Sequence, residues 1–272
     1  MLPLIKTLWI GGDLSRLEHI CLASFIVQGH KVQLYTYGDV GNVPDHVEIL
    51  DANIILPESK IFTYGKATGA GKGSYAGFAN YFRYQMLLHS ENAYWVDADV
   101  LCLRPFPSID TLIVGREDNT FVNNAVIGVE KPSHELFEQL CMYCESPFSI
   151  NSWDSWKIVF KKIYGRIVGR GSLDYLPWGL TGPKALTGFL SKLDLGRYAM
   201  DSESFYPVPH DDWKSIFMPS NLTKNDFSSS YCIHLWNEHL RRNGIDKNST
   251  MSPDSLYEKL IFEYKLDSTG VS

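Results

Sequence analysis

The segment NYFRYQMLLHSENAYWVDADVLCLRPF, residues 80–106, concentrates the side chains best placed to do chemistry. Asp97 and Asp99 stand either side of Ala98. They directly follow the apolar run Ala93-Tyr94-Trp95-Val96 and precede Val100-Leu101-Cys102-Leu103. Two carboxylates two residues apart at the end of a buried strand can hold a hard divalent cation, and that cation can in turn hold a diphosphate. This points to chemistry on a nucleotide-activated molecule. The same spacing also fits a strand-ending turn in which Asp caps the next segment. The apolar flanks favour the cation, because two buried charges are costly unless an ion or hydrogen bonds compensate them.

Other polar residues sit in equally apolar settings. A helix is predicted over 75–89, with Tyr75, Phe78, Ala79, Phe82 and Met86 on one face and Asn80, Arg83 and Leu87 on another. A helix this apolar is buried on most sides, so Arg83 needs a partner, either a carboxylate or a ligand. Asn123 and Asn124 fall inside a predicted strand at 121–129. Paired asparagines are poor strand formers, so they mark either a bulge or a place where amides are wanted. In a strand over 230–236, alternation puts Tyr231, Ile233 and Leu235 on one side and Cys232, His234 and Trp236 on the other. If the first set faces the core, His234 and Trp236 share the opposite side. A lone histidine is more often structural than ligating, but one beside a tryptophan at a strand end joins the Asp-x-Asp as a site candidate.

These residues need a scaffold, and the pattern supplies one. Residues 5–10 read as a buried strand, 13–27 as a helix, 31–37 as a second strand, and 47–55 hold a third. This opening predicts a parallel sheet with nucleotide at the C-terminal ends of its strands. A glycine-rich stretch at 65–77 lacks the Lys-Ser/Thr ending of a phosphate-binding P-loop and reads as a mobile loop. Strands are expected at 111–116 and 121–129, and amphipathic helices at 133–145 and 153–163. A loop at 177–183 leads into a helix at 184–193.

Composition sets the outer limits. The 272 residues, 44% hydrophobic and 13% aromatic, predict one large domain over 1–272, or one domain with a helical elaboration. A net charge of −6 without a basic cluster argues against nucleic acid as partner. Arg241, Arg242 and Lys247 form the densest basic group. It reads as solvated surface, with weak peripheral contact to an anionic membrane as the alternative. Residues 1–12 show no apolar signal region, and no apolar run approaches the ~20 residues of a membrane span. Cys141 and Cys144 fit one face of a helix better than a zinc site. Reduced cysteines and no export signal lead to an expectation of the cytoplasm, at most at the inner face of the plasma membrane.

Four of these elements, in order, resemble the glycosyltransferases of family 32, the DXD-motif sugar-binding group, and more distantly the glucosylating domains of large clostridial toxins. Leu8-Trp9-Ile10-Gly11-Gly12 resembles the first-strand motif whose Trp stacks on uracil. Phe78-Ala79-Asn80-Tyr81-Phe82-Arg83 resembles the Ser-Asp-x-x-Arg helix that holds the donor sugar. Trp95-Val96-Asp97-Ala98-Asp99 resembles the metal motif, and His234-Leu235-Trp236-Asn237 the C-terminal element. The resemblance implies a GT-A fold, a Rossmann-like mixed α/β sheet flanked by helices with a helical elaboration, in which a nucleotide-sugar half at 1–110 and an acceptor half at 111–272 are fused in one domain. It implies a retaining, metal-dependent transfer of a hexose or N-acetylhexosamine from a UDP-sugar to a glycan or lipid-linked saccharide, in bacterial surface polysaccharide synthesis. Mn²⁺ or Mg²⁺ would be held by Asp97, Asp99 and His234. Trp9, Gly11, Tyr37, Asn80, Arg83 and Trp236 would bind the donor, with the Trp236 indole N–H on a phosphate. Asn123 and Asn124 would orient sugar or acceptor in a same-face displacement. The chain departs from the family at Asn80, where Asp is usual, which bears on donor identity more than on reaction class. A nucleotide-sugar hydrolase and a non-catalytic nucleotide-sugar-binding protein are the rival readings.

Overall fold

The computed structural model describes residues 2–64, 73–169 and 176–266. Residues 65–72, most of the stretch read as a mobile glycine-rich loop, lie outside the described residues. Among the described residues no helix is long and apolar enough to cross a membrane.

The chain opens as strand β1 (Leu4–Trp9), helix α1 (Arg16–Val27), β2 (Val32–Thr36) and β3 (Val47–Asp51). Helix α1 starts later than the expected residue 13 because Ser15 and Glu18 form a capping box, each satisfying the other's backbone N–H. Helix α2 (Ala76–Leu88) then leads to β4 (Ala93–Val96). The chain continues through β5 (Val100–Cys102), β6 (Leu112–Arg116), β7 (Val122–Val129), α3 (Glu135–Glu145), α4 (Trp156–Ile167) and α5 (Pro183–Lys192). It finishes with β8 (Ala199–Met200), the short helices α6 (Ser202–Phe205) and α7 (Lys214–Phe217), β9 (Cys232–His234), α8 (Asn237–Arg242) and α9 (Leu256–Tyr264).

Seven strands form one mixed sheet in the order β3-β2-β1-β4-β7-β6-β8. β1 pairs parallel with β2 and β4, and β4 and β6 pair antiparallel with β7. Two apolar cores cover its faces. One gathers α1, α9 and the C-terminal segments, and the other gathers α2, α3 and α5. This is the Rossmann-like mixed sheet flanked by helices that the GT-A expectation describes. From β1 the chain moves outward to β2 and β3, then returns to β4 on the other side of β1. The crevice outside the C-terminal ends of β1 and β4 is therefore a topological switch point, where open α/β sheets bind ligands.

Two local details differ from the sequence reading. Asn123 and Asn124 satisfy both of its alternatives, a bulge and a place that wants amides: they lie at a bulge in β7, and their side chains bond Glu117, the Ala125 N–H and Asn80. The β6–β7 register jumps from Val114↔Ile127 to Gly115↔Asn123. The strand expected over 230–236 is only Cys232–His234 and is buried on both sides, so its alternation does not separate core from solvent.

Helix α4 is held by an enclosed ion pair. Lys162 Nζ lies 2.7 Å from Asp154 Oδ2, and neither side chain has exposed area. The same ammonium donates to Tyr143 Oη at 3.0 Å and to the Ser149 carbonyl at 2.7 Å.

Candidate active site

A cavity of about 820 Å³ opens at the switch point, a size suited to a nucleotide sugar. Trp9 comes to it from the end of β1, Asp97 and Asp99 from the turn after β4, Asn80 and Arg83 from α2, and Asn123 and Asn124 from β7. His234 ends β9 and Trp236 follows it. Gly11 and Tyr37 do not line it. The Tyr37 hydroxyl instead donates to the Leu56 carbonyl at 2.7 Å, and its ring packs on Phe78 and Phe82. Tyr37 serves the core, which corrects its donor-binding assignment, and Gly11 lies in the turn after β1 with φ +138°, next to the cavity residues Trp9 and Ile10.

The Asp-x-Asp turn joins two sheets. Asp97 N–H still donates to the Ala125 carbonyl at 2.8 Å, after which the chain leaves the main sheet for β5. There β5 pairs antiparallel with β9 in a register that sets Val100 opposite His234. That register brings the imidazole to the carboxylates, with His234 Nε2 3.3 Å from Asp99 Oδ1. One ligand atom from each of Asp97, Asp99 and His234 falls within 4.8 Å of the others. His234 Nδ1 and Asn237 Oδ1, both buried, have no hydrogen-bond partner among the described residues. Two carboxylates, an imidazole and a spare amide oxygen fit a hard-to-borderline divalent cation.

The two carboxylates are held differently. Asp97 Oδ1 takes the Trp95 indole N–H at 2.7 Å and the Arg83 guanidinium at 3.0 Å. Arg83 also donates to the carbonyls of Asn124 and Ala79 and lies over the Trp95 ring. Its partner is thus a carboxylate, one of the two alternatives left open above. Burial pushes the Asp97 carboxyl above the usual range, with Arg83 opposing and Asp99 adding to the rise. Asp99 Oδ2 accepts the Asn237 N–H at 2.9 Å. Burial pushes Asp99 up too, but His234 and the Asn237 N–H outweigh it and hold Asp99 below its ordinary value. Burial pulls the His234 imidazole down, yet Asp99 and Asp97 outweigh that and raise it.

On the α2 wall, Asn124 Nδ2 donates to Asn80 Oδ1 at 2.8 Å, and Asn80 Nδ2 donates to Thr181 Oγ1 at 3.3 Å. Gly182 packs against both amides, since a Cβ there would fall 2.9 Å from Asn80 Nδ2. Trp236 packs beside His234 with ring centroids 4.1 Å apart and the rings tilted at 59°. Its indole N–H donates to the Val208 carbonyl at 3.0 Å. That N–H is not presented to a phosphate, which corrects the reading above.

Several cavity residues were not singled out from sequence. Glu18, fully buried, pairs with Lys247, whose ammonium also lies 5.3 Å from the Trp9 ring centroid. Lys247 thus backs two cavity residues, Glu18 and Trp9, while Arg241 and Arg242 pair with Glu238. Glu117 accepts from Asn123 Nδ2 at 2.7 Å and lies 3.5 Å from His210 Nδ1. Ser15-x-x-Glu18 is a capping-box pattern, a signal for the helix start that says nothing of a cavity. Trp178 at the lip lies under the Arg242 guanidinium.

Residues 177–264 match the family described as the alpha 1,4-glycosyltransferase conserved region. This stretch carries Trp178, Thr181, Gly182, His234, Trp236 and Asn237. The chain is related to the glycosyltransferases. It is 26% identical over 158 residues to the lactosylceramide 4-alpha-galactosyltransferase of Gorilla gorilla gorilla, covering 53% of this chain and 40% of that protein. The Homo sapiens enzyme of the same name is 26% identical over 158 residues, with 53% and 37% covered. The chain thus spans less than half the length of these curated relatives. Among solved structures, the PaToxG glycosyltransferase matches at TM-score 0.44 and 13% identity, covering 97% of this chain and 86% of that one.

Proposed function

We propose that this glycosyltransferase relative moves a hexose or N-acetylhexosamine from a UDP-sugar to a hydroxyl of a glycan or lipid-linked saccharide, with retention of configuration. The observation that carries the reading is the gathering of Asp97, Asp99 and His234 within 4.8 Å in a nucleotide-sized cavity. The curated relatives are named for transfer to lactosylceramide, a glycolipid, and for an alpha linkage, which supports both a lipid-linked acceptor and an alpha product. Work at the inner face of a bacterial plasma membrane, on surface polysaccharide, belongs to the same proposal.

A Mn²⁺ or Mg²⁺ ion held by Asp97, Asp99 and His234 would neutralise charge on the departing diphosphate. The chain's own residues prepare the rest. Arg83 and the Trp95 indole N–H fix Asp97 through Oδ1 and leave Oδ2 for the cavity. Trp9 offers an indole face at the end of β1 for the base. The Asn124–Asn80–Thr181 amide and hydroxyl chain gives the donor sugar a neutral wall carrying both donors and acceptors. In a same-face displacement the acceptor hydroxyl's proton passes to the leaving phosphate, so no protein base is required. A double displacement would need a carboxylate beneath the anomeric carbon, and Glu117 is, besides the proposed metal ligand Asp99, the cavity carboxylate without an Arg or Lys partner among the described residues.

UDP release across a panel of UDP-sugars, with and without saccharide acceptors, tests the reading. Acceptor-dependent UDP release supports it. Release unaffected by any acceptor indicates a hydrolase, and tight UDP-sugar binding without release indicates a binding protein. Glu117→Gln retaining most of its turnover supports the same-face route.

A further inference from the structure

Helix α4 was expected to be amphipathic, and it is, but its wider apolar face points outward. Ile158, Lys162 and Gly165 face the protein. Ile158 packs on the small core of Phe148, Leu176 and Leu180, and Gly165 lies against Phe148. At 100° per residue the opposite side is the stripe Trp156, Phe160, Ile163 and Ile167. Trp156 is 75% exposed, Phe160 68% and Ile167 77%, and Ile163 and Tyr164 are exposed as well. An exposed apolar stripe this continuous marks an interaction face.

Charge says what covers it. Residues 156–169 hold Lys157, Lys161, Lys162 and Arg166 and no acidic residue, in a chain of net charge −6. Lys162 is consumed by Asp154. Lys157 and Lys161 flank one edge of the stripe, and Arg166 flanks the other. Tryptophan, phenylalanine and isoleucine between basic flanks is the composition of a helix that lies in a lipid headgroup region. From the core beneath α4, the chain from Leu176 runs straight into the cavity wall at Trp178, Pro183 and Lys184.

We propose that α4 docks flat on an anionic lipid bilayer and thereby holds the cavity mouth at the membrane surface, where a lipid-linked acceptor would reach it. The docking stands on α4 alone, whereas its purpose rests on the acceptor reading above. It differs from the Arg241–Arg242 contact considered from sequence, since both of those arginines are engaged by Glu238.

Flotation of the full chain with phosphatidylglycerol/phosphatidylcholine vesicles tests this, with phosphatidylcholine alone as the comparison. The wild type is expected to float with the anionic vesicles, and to float less as salt rises. Phe160→Glu combined with Ile167→Glu should lower that partition at least about tenfold at an unchanged melting temperature, because both side chains are exposed. A second, milder pair, Trp156→Gln with Ile167→Gln, should also lose binding. UDP release with a soluble acceptor should be unchanged in both variants, whereas transfer to an acceptor embedded in anionic vesicles should fall. Wild type that fails to float, or variants that float as well as wild type, would overturn the proposal. So would lipid-free self-association abolished by the same substitutions, which would give the face to a second copy of the chain. Flotation without transfer to any acceptor would keep the docking and remove the transferase reading.

Discussion

Arg83–Asp97 and Lys162–Asp154 are both buried ion pairs, and both tie a helix to the segment beside it. They differ in where the spare carboxylate oxygen lies. The three hydrogens of the Lys162 ammonium go to Tyr143, Ser149 and Asp154, and both charged side chains are sealed from solvent. Arg83 is equally enclosed, but its carboxylate partner is 28% exposed and takes both of its bonds on one oxygen. Asp154 likewise takes its bonds on one oxygen, Oδ2, but its other oxygen is buried and meets no open space, so this pair can only hold α4 in place. The second presents a positioned, partly unsatisfied carboxylate to a cavity. An ion pair thus reads as functional when one member keeps an unused valence facing space, and as structural when neither does.

Substitutions should separate the two regions. The largest effect is expected at the open corner. Asp99→Ala should lower kcat for acceptor-dependent UDP release by about 10² or more, as losses of groups that stabilise developing charge do. Its melting temperature should stay near that of the wild type, and EDTA should mimic the loss. Full activity in EDTA would remove the metal assignment. At the closed pair, Lys162→Ala should cost about 3–5 kcal/mol of stability, because Asp154 is left charged and buried. Urea midpoints measure this, and the protein that remains folded should keep its kcat/KM with a soluble acceptor. A loss of kcat/KM equal to that of Asp99→Ala would mean the two pairs are not separable.

Asn80→Asp sharpens the view of the open side. The carboxylate would still accept from Asn124, and the Thr181 hydroxyl can turn to donate to it, so the fold should tolerate it. What changes is the loss of a donor facing the sugar. The ranking of UDP-Glc, UDP-Gal and their N-acetyl counterparts by kcat/KM should shift about tenfold for the affected pair. Unchanged ranking and rates would place the donor sugar elsewhere.

The smallest effect belongs to a buried histidine far from either pair. One ring nitrogen of His30 meets the Pro3 carbonyl at 2.9 Å, and the other accepts the Phe106 N–H at 2.9 Å. The ring is therefore neutral in the fold, and burial holds its pKa below the ordinary value against the Pro3 carbonyl. Below about pH 6.5 the unfolded chain takes up a proton that the folded chain resists. Stability contributed by neutral His30 is present above that pH and declines as pH falls through it. Melting temperatures from pH 7.5 to 5.5 should drop less steeply in His30→Gln than in the wild type.

The sequence carried the parts of the site that local pattern can encode. Asp97 and Asp99 were legible because an apolar run breaks off into two charges, and Arg83 because a helix with little polar surface must satisfy it. His234 was legible only through its neighbours, since nothing local states that it faces residue 100. Glu18 and Lys247 form their pair 229 positions apart in the chain, and neither looked different from surface residues. Tyr37 failed in the other direction, because a tyrosine at the end of β2 packs into a core as readily as it lines a cleft. For α4, periodicity gave the two faces but not which one turns inward. A buried lysine decides that, and composition alone would have placed it outside.

The pairing of Val100 with His234 also sets a timetable. Residues 97 and 99 are synthesised long before residue 234, and the two-stranded β5–β9 ribbon cannot close until the later segment arrives. Contacts at such separation form late and slowly. A nascent chain shorter than about 234 residues would carry two carboxylates with no imidazole opposite them, and so only a weak hold on a cation. Metal capture should therefore report the completion of folding rather than assist its start, and a chain cut before β9 should keep most of its main sheet while losing the site.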